Sequence, residues 1–204
     1  DCPAGSGVLP GRTLRALRCL VLSFLLLSPA GNLLAVEPQA DLFADRSLLD
    51  VVLTAPMGQL SAQKNQKERL YLPGQWAFRN DQGEVTGFDV KVRTRGNYRR
   101  EICRYPPILL NFVKEELKGT LFAGQDKLKL VAPCKPDSRY EQLVMLEYLV
   151  YRLHGVLTGP SFLVRPLRIH FVDSEGRQSP REVFGFLIED EEKMRRLMDL
   201  VLRP

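Results

Sequence analysis

The chain has 204 residues, 45% hydrophobic and 26% charged, and its 29 lysines and arginines against 24 aspartates and glutamates leave a formal net charge of +5. That balance belongs to an ordinary globular protein and excludes a disordered, collagen-like or disulfide-dense chain. The positive charge is too mild to call for a nucleic acid or another polyanion as partner.

The first 35 residues read separately from the rest. Arg12, Arg15 and Arg18 precede an apolar run over residues 19–27, and the small residues Ser28, Ala30 and Ala35 follow. This is the order of a secretory signal peptide. The run is about half the roughly 20 residues that a membrane-spanning helix needs; an uncleaved anchor is the competing reading and the only membrane association expected. Residues 1–35 are therefore expected to be a leader, and residues 36–204 a single domain in the periplasm, the cell envelope or the medium. Loss of three arginines and Asp1 with the leader lowers the formal charge to +3. The sequence opens on Asp1 and stops just after Val201-Leu202, inside a helical pattern, so it reads as a fragment. Outside the leader only Cys103 and Cys134 remain, and an oxidising compartment favours a bond between them over two free thiols. Closing that loop of about 30 residues stabilises by about 3–4 kcal/mol in the chain-entropy model.

In chain order, the apolar run at residues 48–53 predicts a buried strand. Residues 59–69 are polar and lysine-rich and predict a loop. Residues 70–80 lead into Asp81-Gln82-Gly83-Glu84, a hairpin turn. Residues 88–95 begin with the alternation of a strand that has one buried face, ended by Gly96-Asn97. Pro106 and Pro107 keep residues 103–107 out of a central strand, whereas residues 108–112 and 128–131 predict two short ones. From Ser138 the period becomes helical, with Ser138 and Glu141 in capping-box spacing, and predicts one long helix over residues 138–155. Residues 167–172 and 183–188 flank Asp173-Ser174-Glu175-Gly176 as a second hairpin, and Met194, Leu197, Met198, Val201 and Leu202 predict a terminal helix. This order predicts the α+β class, a mainly antiparallel sheet with one long helix.

Signatures of nucleotide loops, zinc proteases and paired-cysteine metal sites are absent from the sequence. Its two histidines, His154 in the long helix and His170 in a strand, do not suggest a metal site. The informative cluster is Lys91, Arg93, Arg95, Asn97, Arg99 and Arg100. On a strand Lys91, Arg93 and Arg95 share one face while Val90 and Val92 share the other. Such a row suits bidentate capture of a phosphate or carboxylate; a solvated sheet face is the plainer reading.

Arg93-Thr94-Arg95-Gly96-Asn97, the strand at residues 108–112, Lys127-Leu128-Lys129-Leu130, the long helix and Phe184-Gly185-Phe186-Leu187-Ile188-Glu189 together resemble the spore coat protein CotH family of exported, divergent kinase-like proteins. The resemblance covers residues 48–192 and implies a kinase-like N-terminal lobe, truncated at its C-terminus before the lobe that would carry catalytic and metal-binding residues. It implies that Arg93, Arg95 and Asn97 approach nucleotide phosphates, that Lys129 (or Lys127) contacts them from its strand, that Glu147 orients the lysine, and that Glu189 begins the hinge. Lys129 as an exposed strand residue and Glu147 as a solvent-side partner of Arg152 remain open. ATP with Mg²⁺ is the implied cofactor of a full-length protein and an exported protein the implied acceptor, with no catalytic residue in this chain. The alternative is a non-catalytic envelope or surface protein with a structural or binding role.

Overall fold

The computed structural model describes residues 41–80, 82–158 and 161–202, so the expected leader lies outside the described residues. Every second residue of β1 (Leu49–Ala55) is buried, and the same alternation runs through β3 (Val85–Thr94) and β4 (Ile108–Phe112). Period-2 burial defines a sheet with one face on a core. β2 (Leu72–Arg79), β5 (Lys127–Val131), β6 (Val164–Asp173) and β7 (Arg181–Ile188) complete it. β2 through β5 pair antiparallel in sequence order, and β5 continues through β7 to β6. β1 then joins β2 antiparallel and β6 parallel, with Leu49 opposite Leu167 and Ala55 opposite Asp173.

The result is a closed seven-stranded mixed barrel in the order β1-β2-β3-β4-β5-β7-β6. It overturns the expected α+β lobe of kinase-like design. The strands lie close to where the pattern put them, but the parallel β1–β6 pairing joins the two edges that such a lobe leaves apart. Closure removes both edges, which an apolar strand such as β1 otherwise exposes.

The interior is largely apolar and rich in aromatic rings. Trp76, Phe78, Phe88, Phe112 and Phe122 form one cluster with ring centroids 5.1–6.3 Å apart. Tilted and edge-on pairs of this kind add about 0.5–1.5 kcal/mol each beyond burial. Leu42 and Phe43 are buried in the same core, and the buried Arg165 holds the segment that carries them. Its guanidinium donates to the carbonyls of Leu42 and Asp45 and pairs with the Asp45 carboxylate at 2.8 Å. The hydrogen bonds of Ser47, with Arg165 assisting, hold the Asp45 carboxyl down to about 2. α1 (Met57–Ala62) and the 3-10 turn Gln63–Asn65 occupy the segment expected as a loop. Leu60 sends an apolar side chain into the core, and buried Gln63 accepts hydrogen bonds from the backbone and hydroxyl of Thr94.

The helix expected at residues 138–155 is present as α3 (Ser138–Thr158), packed on the outside of β7 and β6. There Val144, Tyr148 and Tyr151 meet Val131, Val164, Phe186 and Ile188. Gly185 lets the sheet pass closely at this point: a Cβ on it would lie 2.4 Å from the Val131 carbonyl oxygen. α4 (Glu191–Leu202) follows β7. No helix among the described residues is long and apolar enough to cross a membrane.

Candidate functional site

The outer face of β3, β4 and β5 continues beside α3 as a charged surface. Val90 and Val92 point into the barrel while Lys91 is exposed, which leaves Arg93 facing outward. Arg93 stands opposite Leu109, and Leu109 opposite Lys129. The two cations thus share a row across three strands, roughly 10 Å apart by strand spacing. Gly96, at φ +76°, turns the chain out of β3 and into α2 (Tyr98–Ile102). That left-handed backbone is cheap only for glycine. α2 carries Arg99, and the Cys103–Cys134 disulfide that follows it, with Cα atoms 4.7 Å apart, ties the helix to the loop entering α3.

Arg99 then reaches α3 and pairs with Glu147 at 3.2 Å. Lys129 does not take Glu147; its ammonium pairs with Glu191 of α4 and lies 5.1 Å from the centre of the Phe162 ring. Arg93 lies over the Tyr71 ring at 4.7 Å. Two cations are therefore matched by two carboxylates. Arg93 and Arg95 have no hydrogen bond or ion pair from their guanidinium groups among the described residues, and each has a buried Nε that lacks a partner; Arg95 differs in having no ring beneath it either. Burial, reinforced by the charge of Arg99, pulls its guanidinium below the ordinary arginine range, while Tyr151, Glu147 and Glu191 oppose that shift. A half-buried cation without a counter-ion is costly, and that cost is tolerated where an anion comes and goes.

Tyr151 connects this cluster to a cleft of about 720 Å³ between α3, α4 and the barrel. Tyr151 lines the cleft and senses the charge of Arg95; burial, aided by Glu147, raises its hydroxyl above the ordinary tyrosine range. Phe162, beneath Lys129, lines it too, and Arg152 and Lys193 are two of five cations there, set among the carboxylates of Asp126, Glu189, Asp190 and Glu192. The volume falls within the roughly 300–1,000 Å³ typical of small-molecule sites. A second cavity of about 60 Å³ sits near Arg181, whose guanidinium lies 3.7 Å from the centre of the Tyr105 ring, and is too small for such a ligand.

No family model, curated protein or solved structure matches the chain. The site must therefore be read from its own geometry. Of the residues singled out in the sequence, Arg93, Arg95, Lys129 and Glu147 converge on one region, through register and through the fields that meet at Arg95. Asn97 is exposed at the start of α2 and makes no side-chain cap. Glu189 is buried at the end of β7, where its carboxylate accepts the Leu163 N–H at 2.7 Å while its own N–H donates to the Leu163 carbonyl. It thus ties the start of β6 to the end of β7. Burial raises its carboxyl above the usual range, against the Leu163 hydrogen bond and the charge of Lys193. Sequence reasoning missed Tyr151, Phe162 and Glu191: an aromatic in an apolar helix and a glutamate in a charged run carry no signal until folding brings them to Arg95 and Lys129. Among the described residues no group of three or more His, Cys, Asp or Glu side chains is placed to hold a metal ion.

Proposed function

We propose that this chain is an exported binding domain for a phosphate-bearing small molecule of nucleotide size, with Arg95 as the principal phosphate contact. The observation that carries this reading is the half-buried Arg95 guanidinium without a counter-ion, beside a cleft of nucleotide-compatible volume. Guanidinium groups present a planar fork that matches phosphate oxygens two at a time. Arg93 supplies a second positive charge, and the Tyr151 hydroxyl a neutral donor. Lys129 becomes available if the exposed Glu191 exchanges its ammonium for the ligand, a small loss because a surface ion pair is weak. Phe162 and Tyr151 offer apolar faces to a base or another flat group. The short Arg93-to-Asn97 motif behind the CotH resemblance agrees with this reading, whereas transfer of the phosphoryl group is not part of it. The Cys103–Cys134 bond is consistent with export into an oxidising compartment.

Calorimetric titration of the purified protein with pyrophosphate, ADP and ATP, each with and without Mg²⁺, tests the reading. Binding that falls at least tenfold in Arg95→Met but is unchanged in Arg79→Met, on the distant β2–β3 hairpin, supports it. Absence of heat with all three ligands at millimolar concentration, or equal affinity in Arg95→Met, refutes it. A second reading, a protein-binding role, is favoured by the apolar outer face of α3.

A further inference from the structure

α3 is apolar on nearly every side, although only one side lies on the barrel. A helix that is hydrophobic all round belongs in an interior. The outward residues Leu143, Leu146, Val150, Leu153 and Leu157 recur at steps of three, four, three and four, and each is between 56% and 73% exposed. That spacing is the a/d seam of a coiled coil, which keeps one apolar stripe turned toward a partner helix. Packing against the barrel does not require it, because the barrel-side contacts Val144, Tyr148 and Tyr151 form a separate stripe. With Leu149 and Val156 on its flank, the seam leaves roughly 700 Å² of apolar surface open. The largest patch on a typical monomer is about 300–600 Å², and each partner in a standard interface contributes about 800 Å².

We propose that this face is a homodimer interface, in which α3 of one copy packs antiparallel against α3 of a second copy. The flanking residues choose both the occupant and the direction. On one flank of the seam lie Leu149 and Val156; on the other lie Glu147 and His154. Antiparallel two-fold pairing sets each flank against its own copy, so Leu149 meets Val156 of the second copy and the Glu147 carboxylate faces the second copy's His154. Parallel pairing would instead set Leu149 and Val156 against the polar flank. The two-fold arrangement is self-complementary and closes at two copies. In register, Leu146 layers on the second copy's Leu157 and Val150 on its Leu153.

Sedimentation equilibrium of the purified protein between 1 and 100 µM tests the proposal. A dimer is expected, with dissociation raised at least a hundredfold in Leu146→Glu/Leu153→Glu. Circular dichroism and melting of the dilute, monomeric species should match between that variant and the parent, because these side chains do not touch the barrel. Orientation is read by oxidation: a mixture of Val150→Cys and Leu153→Cys copies should cross-link to each other more efficiently than either cross-links to itself. A monomer at 100 µM, which would leave the face to a different protein, overturns the proposal, as does a dimer that survives the double charge substitution. Preferential self-linking of Val150→Cys would overturn the antiparallel arrangement.

Discussion

The barrel interior and the outer face beside α3 are built from the same strands, one residue out of phase, and obey opposite rules. Inside, Val92, Leu110, Leu128 and Leu187 belong to one hydrophobic cluster that five aromatic rings complete. Outside, on the alternate residues, Arg93 and Lys129 stand in the same ladders, and Arg95 follows just beyond the strand with its charge unmatched. The interior is where the chain gains its stability, and the exterior is where it tolerates a loss. That contrast separates the residues that make the fold from those that the proposed function assigns to a ligand.

The sharpest way to break the contrast is from within. Phe122 stacks with four other rings at the centre of the barrel, and Phe122→Ala is expected to cost about 3–5 kcal/mol in urea unfolding. A loss below 1 kcal/mol would mean that the aromatic core is not the stabilising region. Next in size is the disulfide, which spans 31 residues. Cys103→Ser/Cys134→Ser should lose about 3–4 kcal/mol, read as a lower melting temperature, and should weaken phosphate binding as well, because α2 would no longer be held to deliver Arg99 to Glu147.

Glu189 sharpens the boundary between the two regions, since it is buried like the core and charged like the surface. Glu189→Ala removes the carboxylate that accepts the part-buried Leu163 N–H and should cost about 1–2 kcal/mol. Glu189→Gln keeps the acceptor and removes the charge. A carboxyl raised by burial binds its proton more tightly in the folded state, so its contribution is most favourable below the ordinary glutamate range and declines as pH rises from there through the raised folded value. Wild type should therefore lose stability relative to Glu189→Gln across that window, measured by urea unfolding at pH 4 and pH 8; parallel curves would show that the carboxyl is not perturbed. The smallest effect is on the exterior. Arg95→Met should leave stability unchanged or raise it by about 1 kcal/mol, because an apolar side chain removes an unmatched charge, and a loss above 1 kcal/mol would make Arg95 a structural residue.

Much of the element order was legible because local pattern decides it. The period-2 runs at β3 and β4 and the switch to helical period at Ser138 fall where the strands and α3 lie. Closure was not legible. Nothing local to Leu49 or Leu167 says that they pair in parallel, and the mixed barrel depends on that contact alone. The same holds for the site. The row of cations on β3 could be read from alternation, but the partner of Lys129 could not, since Glu147 and Glu191 lie on helices whose placement only the packing of α3 and α4 settles. α1 was hidden for another reason: its one buried anchor, Leu60, sits in a polar stretch without a side-chain cap at its start.

The parallel seam between β1 and β6 also sets an order of events during synthesis. β1 is made early, but its second neighbour is not available until residues 164–173 have emerged, whereas each of β2 to β5 finds a partner in the strand just before it. Until then one side of an apolar strand presents open N–H and carbonyl groups, the geometry that recruits strands from other chains. Such a long-range contact also slows folding. The growing polypeptide thus has a window of vulnerability that ends only when its last two strands arrive.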